Sequence, residues 1–203
     1  MAAQQHHKTK LRNINRLRII GGEWRGRRLS FPDVAGLRPT PDRVRETLFN
    51  WLAPMIEGAR CLDLYTGSGA LGLEALSRGA ASVVMVDSDA TVIAHLHQHI
   101  ATLHANGAQT AHADTLRYLQ HPPSEGFDIV FLDPPFRKNL VAPCCELLER
   151  GGWLKPGARI YIETESDLPL SGLPPNWHIT RSKKAGQVSY HLAQRAAETQ
   201  ALR

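Results

Sequence analysis

Asp63-Leu64-Tyr65-Thr66-Gly67-Ser68-Gly69-Ala70-Leu71-Gly72 joins a short apolar run, Ala59 to Tyr65, to a helical pattern, Ala70 to Arg78, that stops at Gly79. An apolar run that enters glycines and leaves as a helix reads as strand, turn and helix. Glycines there let the backbone come close to a ligand, and the helix N-terminus offers N–H donors. Outward from this unit the same alternation continues. Ala81 to Val86 is a second strand ending at Asp87, Thr91 to His104 is helical with Val92, Leu96 and Ile100 on one side, and a weaker strand near Thr110 to Ala113 precedes Asp114. Phe127 to Leu132 is strongly apolar, Leu140 to Arg150 is helical, and Ala158 to Glu163 is a strand after Pro156-Gly157. Trp177 to Lys183 and Gln187 to Ala193 alternate around Ala185-Gly186, which predicts a closing antiparallel hairpin. The pattern predicts an α/β fold: a doubly wound, Rossmann-like sheet, mostly parallel, with its ligand at the carboxyl ends of the strands.

At 203 residues and 42% hydrophobic, the chain suffices for one such domain and a short extension. Residues 1–15 are polar and aperiodic and are expected to be a mobile basic tail, with a second tail at 196–203. Residues 16–56 form the extension. In it Leu17, Ile19, Ile20, Leu29 and Phe31 flank Gly21-Gly22 and Gly26 as a small hairpin. Thr40-Pro41 then predicts a helix with threonine as N-cap and proline first in the helix, followed by Val44, Leu48, Trp51, Leu52 and Met55 at helical spacing. Residues 57–195 are the main domain. No apolar run approaches the roughly 20 residues of a membrane span, and the N-terminus lacks a signal-peptide core, so a cytoplasmic protein is expected. Cys61, Cys144 and Cys145 fit neither a disulfide framework nor a zinc spacing and are expected to be reduced and buried.

Charge is unevenly distributed. Residues 1–50 hold eleven Lys/Arg against four acids, a balance of +7, and the remainder carries −2. A basic extension on a mildly acidic domain suits a polyanionic substrate, because phosphate contacts supply affinity without reading sequence; a tail that serves only solubility is the alternative.

Gly67-x-Gly69-x-x-Gly72 followed by Asp87 also matches a dinucleotide fingerprint. Asp63 favours S-adenosylmethionine over NAD. A carboxylate just before the turn repels a pyrophosphate and suits the methionine ammonium. Asp87 offers two acceptor oxygens to ribose hydroxyls, and Asp114 can accept from an adenine amine. The candidate cofactor residues are Asp63, Tyr65, Thr66, Gly67, Ser68, Gly69, Asp87, Ser88, Asp114 and Thr115.

Leu132-Asp133-Pro134-Pro135-Phe136 carries the chemistry. Two prolines fix the backbone so that the Asp133 carboxylate and the Pro134 carbonyl can share a pocket. An amine conjugated to a base is a poor nucleophile. If Asp133 and the Pro134 carbonyl hold its hydrogens, the nitrogen can pyramidalise toward a sulfonium methyl, with Phe136 stacked on the base. No metal is required. The target nucleotide must be unpaired or flipped out. Asp133, Pro134, Pro135 and Phe136 are therefore the candidate catalytic residues.

Together these stretches resemble class I methyltransferases with an Asn/Asp-Pro-Pro-aromatic motif. Arg18-Ile19-Ile20-Gly21-Gly22-Glu23-Trp24-Arg25-Gly26-Arg27, Arg38-Pro39-Thr40-Pro41-Asp42-Arg43-Val44-Arg45-Glu46 and the run from Asp63 to Ala75 look like the RsmD family, over about residues 16–193. That family methylates the 2-amine of one guanine in 16S ribosomal RNA. Tyr65 stands where many methyltransferases have glycine, in keeping with that family's own pattern. The likeness implies 16S ribosomal RNA or the small subunit as partner and places Arg38, Thr40, Arg43 and Arg45 beside the cofactor and substrate cleft. Arg25, Arg27 and Arg28 join them as candidate RNA contacts, and Trp24 either stacks on a base or packs on the sheet. A monomer is expected. His95 and His99 could reach one metal, but no third ligand is visible, so an exposed helical face is the better reading. Asp-Pro-Pro-Phe alone leaves adenine, cytosine or a glutamine amide open as acceptor, and an inactive RNA-binding assembly factor is the alternative of another class.

Overall fold

A computed structural model describes residues 15–31, 40–167 and 169–197. The expected N-terminal and C-terminal tails and Arg38 lie essentially outside these residues. Two strands, β1 (Asn15–Arg18) and β2 (Arg28–Phe31), pair as an antiparallel hairpin. There follow α1 (Asp42–Leu52), β3 (Arg60–Leu64), α2 (Ala70–Ser77), β4 (Ser82–Asp87), α3 (Ala90–Leu103), β5 (Ala108–His112) and α4 (Thr115–Leu119). The chain ends with β6 (Phe127–Leu132), α5 (Val141–Arg150), β7 (Leu154–Glu165), β8 (Trp177–Ala185) and β9 (Val188–Arg195).

The main sheet runs β5-β4-β3-β6-β7-β9-β8, parallel from β5 to β7 and antiparallel through β9 to β8. The order turns back at β3, and β3 and β6 both point their carboxyl ends at the crevice where such folds hold ligands. β6 reads as unbroken apolar sequence because both its faces are covered. Ile129 and Phe131 face one core, with the hairpin, α1, α2 and α3; Val130 and Leu132 face the other, with α4 and α5. All three cysteines are free and buried, as expected. Among the described residues no helix is long and apolar enough to cross a membrane.

Three local expectations are corrected. Pro41, not Thr40, is the N-cap of α1, and it makes no side-chain capping bond; the Thr40 hydroxyl is directed elsewhere, as described below. β7 begins at Leu154, before Pro156-Gly157 rather than after it, and its pairing with β6 shifts register between Phe127 and Ile129, so the bulge takes in a dipeptide that sequence suggests as a boundary. The five-residue helix α4, capped by Asp114, was not anticipated.

The hairpin is joined to the main domain mostly through backbone. Glu74 of α2, fully buried, accepts from the amides of Ile20 and Gly21, while Glu23 N–H donates to the Ser77 carbonyl. Leu17, Ile19, Leu29 and Phe31 complete the contact as part of the larger core.

Candidate active site

The turn from β3 to α2 is tight. Tyr65, Gly67 and Gly69 all have positive φ, and the Gly69 N–H closes on the Thr66 carbonyl at 2.9 Å. Asp63 lies beneath it, 2% exposed, its Oδ2 accepting from Thr66 Oγ1 at 2.8 Å and from Gly72 N–H at 2.9 Å. A Cβ at Gly72 would sit 3.0 Å from that oxygen and 2.9 Å from Met85 Cγ, so glycine is needed for the carboxylate to reach the helix. Burial pushes the Asp63 carboxyl up to about 7, its two hydrogen bonds resisting and the nearby Asp87 charge adding to the rise.

Asp87, at the end of β4, accepts from Gly67 N–H and from Asp89 N–H, each at 2.9 Å. Each oxygen retains a second lone pair for a hydroxyl. Ser88 follows it, exposed, its carbonyl 3.1 Å from His112 Nε2. Asp114, after β5, is exposed and caps α4 through Arg117 N–H at 3.0 Å. Ser68 and Thr115 are buried. The Tyr65 hydroxyl lies 3.5 Å from Cys144 Sγ and within hydrogen-bonding reach of Thr115, so this side chain packs toward α4 and α5. Four acidic residues, Asp63, Asp87, Asp114 and Asp133, thus stand at or just past the carboxyl ends of four neighbouring strands, around a glycine turn and the start of a helix. Such a set of carboxylates repels a pyrophosphate and fits a nucleoside bearing an ammonium and a sulfonium.

Asp133 follows β6 directly. Leu132 pairs with Ile162, so Asp133 and Glu163 stand side by side one step further on, and the Thr40 hydroxyl reaches both carboxyls. Burial raises the Asp133 carboxyl well above its ordinary range, and the charges of Glu163 and Asp63 raise it further; burial also raises Glu163. Pro134 is buried, Pro135 is exposed, and the Phe136 ring is 41% exposed, free to stack. A cleft of about 330 Å³ opens here, lined by Pro134, Phe136, Leu140, Glu163 and Leu170 among others. Sequence reasoning missed Glu163 and its partner Tyr161: neither sits in a motif, and only the pairing of β6 with β7 brings them to Asp133.

Arg25, Arg27, Arg28 and Arg43 are exposed. Arg45 is not: it is 1% exposed, with Nε on the Thr40 carbonyl, Nη2 on the Arg18 carbonyl and Asp42, and Nη1 on Glu74. Its reading as a substrate contact is therefore corrected; it fastens α1 to the hairpin and to α2. The turn bearing Arg25 packs at the far end of α2 from the glycine turn, against Ser77, whereas Phe31 approaches Gly67 and Ser68. Trp24 packs against the core. His99 is buried with Nε2 2.8 Å from the Ser30 carbonyl, which corrects the reading of its helical face as exposed.

The glycine turn, the acidic residues that end successive strands and the Asp-Pro-Pro-Phe corner define an S-adenosylmethionine-dependent methyltransferase of class I. A family model described as "Conserved hypothetical protein 95" matches residues 17–194, and the chain belongs to that family. It is 51% identical over 182 residues to Ribosomal RNA small subunit methyltransferase D of Escherichia coli K12, covering 90% of this chain and 91% of the relative. It is 48% identical to the protein of the same name from Haemophilus influenzae, over 88% of this chain and 93% of that one. The solved structure of Escherichia coli yhhF superposes with a TM-score of 0.85 at 48% identity, covering 91% of this chain and all of that one.

Proposed function

We propose that this enzyme methylates the exocyclic 2-amine of a guanine in small-subunit (16S) ribosomal RNA, in the cytoplasm. The observation that carries the reading is the Asp133 carboxyl, set beside the Pro134 corner and an exposed Phe136 ring, one strand from the glycine turn. S-adenosylmethionine, when bound, supplies an electrophilic methyl group on sulfur. Asp63 would hold its ammonium, Asp87 its ribose hydroxyls and Asp114 its adenine amine. Asp133 and the Pro134 carbonyl accept the two amine hydrogens and turn the nitrogen lone pair toward the methyl carbon. Loss of that methyl to nitrogen would leave the cofactor as its neutral thioether, and Asp133 or water would take the proton displaced from nitrogen. Phe136 stacks on the flipped base. The same geometry serves other conjugated amines; small-subunit ribosomal RNA is favoured by kinship with enzymes named for it, and guanine by the resemblance to the RsmD family.

The test is transfer of labelled methyl from S-adenosylmethionine to ribosomal RNA lacking the modification, offered naked and as small subunits, with labelled nucleosides identified. Label in N2-methylguanosine, lost with Asp133→Ala while cofactor affinity is kept, is the expected result. Label in another nucleoside, or in protein, overturns the acceptor; cofactor binding without any transfer favours a non-catalytic assembly factor.

A further inference from the structure

The exposed hairpin arginines cluster toward the end of α2 remote from the glycine turn, which leaves open what grips the RNA beside the flipped base. The antiparallel end of the sheet supplies candidates. Glu163 pairs with Tyr190 on β9, and Tyr190 pairs with Lys183 on β8. Asp133, Glu163, Tyr190 and Lys183 thus form one cross-strand row, in which Lys183 stands three strand spacings, roughly 14 Å, from Asp133.

Which face this row occupies is decided by a bulge. Ile179 pairs with Ala193 but Arg181 pairs with Leu192, so Thr180 is an extra residue on the edge strand. Leu192 and Tyr190 belong to the core under α1, the face that carries Glu163, whereas Ala193 belongs to the opposite core. The bulge therefore re-aims Arg181 and Lys183 onto the catalytic face, where regular alternation would have placed Ser182 and Lys184. Both are exposed. Arg137 and Lys138, exposed in the loop after Phe136, add two cations at the same end; among the described residues none of the four side chains forms an ion pair, while the backbone N–H of Arg137 donates to the Glu165 carboxylate. Some cations of the protein, such as Arg60, Lys155 and Arg195, are by contrast matched to an acid.

From these observations we infer that Arg181 and Lys183, aimed by the Thr180 bulge, form with Arg137 and Lys138 a phosphate-binding rim that holds the RNA strand flanking the target nucleotide. The inference rests on the RNA-methylating reading above. Lysines on an edge strand also guard against pairing between molecules, and that role is the competing explanation.

The experiment compares wild type with the Arg181→Gln/Lys183→Gln double variant and with Arg181→Glu/Lys183→Glu. It measures KM and kcat for unmodified small subunits, the salt dependence of KM, S-adenosylmethionine affinity and molecular mass in solution. With the glutamine pair, KM is expected to rise roughly tenfold, and the slope of log KM against log salt to fall by about 1.4–1.8, two phosphate contacts' worth. Cofactor affinity and thermal midpoint are expected to stay put, and the glutamate pair should raise KM further. Unchanged KM and slope in both variants overturn the rim, and self-association in place of a KM effect identifies edge protection as the role. If wild type itself labels no RNA, the methylation reading fails first and the rim with it.

Discussion

Tyr161 donates a 2.7 Å hydrogen bond to Glu163, two residues along the same face of β7, and so fixes the second carboxyl beside Asp133. The two acids oppose each other's ionisation, and the proposed mechanism needs Asp133 as the acceptor. Activity is therefore expected to rise with pH through an acid limb displaced above the usual carboxylate range. Glu163→Gln removes one of the charges that raise Asp133 and should move this limb to lower pH while leaving the plateau within about tenfold. The pH profile of kcat/KM checks this; an unmoved limb in the variant removes Glu163 from the control of Asp133.

Asp63 makes a linked prediction for cofactor binding. Its carboxyl, at about 7 in the folded protein, binds a proton that an unfolded chain has released by that pH. Stability from this group is therefore greatest at or below the ordinary carboxylate range and falls as pH rises toward about 7, by a few kcal/mol at most. Asp63→Asn should flatten that fall in urea midpoints taken between pH 4 and 8. An ammonium settling beside Asp63 favours the carboxylate, so S-adenosylmethionine binding near pH 7 should release protons. Calorimetry in buffers of different ionisation enthalpy reads this directly, and a buffer-independent enthalpy would place the ammonium elsewhere.

Arg45 and Glu74 are buried partners 3.4 Å apart. Arg45→Ala leaves Arg78, 2.7 Å away, as the remaining cation on Glu74 and strips the Thr40 and Arg18 carbonyls of a donor, and is expected to lower stability by about 1–3 kcal/mol. Because Arg45 does not face the cleft, KM for RNA, measured on the folded fraction, should stay within twofold. A large KM effect at full stability would restore a substrate role.

Two glycines of the hairpin turn should respond differently to alanine. Gly22 has φ +72 and a Cβ there would lie 1.6 Å from the Ser77 carbonyl oxygen; Gly26 has φ +85 and open space around it. Gly26→Ala is expected to cost about 1 kcal/mol from backbone strain alone. Gly22→Ala cannot keep the hairpin docked on α2 and should cost several times as much, with loss of hydrogen-exchange protection at Ile20 and Gly21. Equal midpoints for the two variants would mean that the docking is dispensable.

The parallel core was readable because burial on both faces writes itself as unbroken apolar sequence, as in Ile129 to Leu132, and because the glycine turn and the two prolines act through their own backbone. What could not be read depends on partners distant in the chain. Thr40 before Pro41 has the form of a helix cap, but its hydroxyl is turned to Asp133 and Glu163. Arg45 looks like any helical arginine until Glu74 and the Arg18 carbonyl surround it. The bulge at Thr180 has no local signature, since only the register against β9 reveals the extra residue. His99 reads as a surface histidine because the carbonyl it meets, that of Ser30, lies in a separate hairpin.

Glu74 holds the hairpin by the amides of Ile20 and Gly21, groups that almost every residue type possesses. Anchorage is thereby largely separated from identity: the exposed side chains of Glu23 and Arg25 can be replaced without altering the joint that seats them, whereas Arg27 adds a bond to the Thr102 carbonyl of α3. Such a joint lets the surface of the turn drift or be rewritten by selection while the chemistry behind it keeps its register. Randomising Glu23 and Arg25 on an intact Glu74 accordingly varies this surface without disturbing the site.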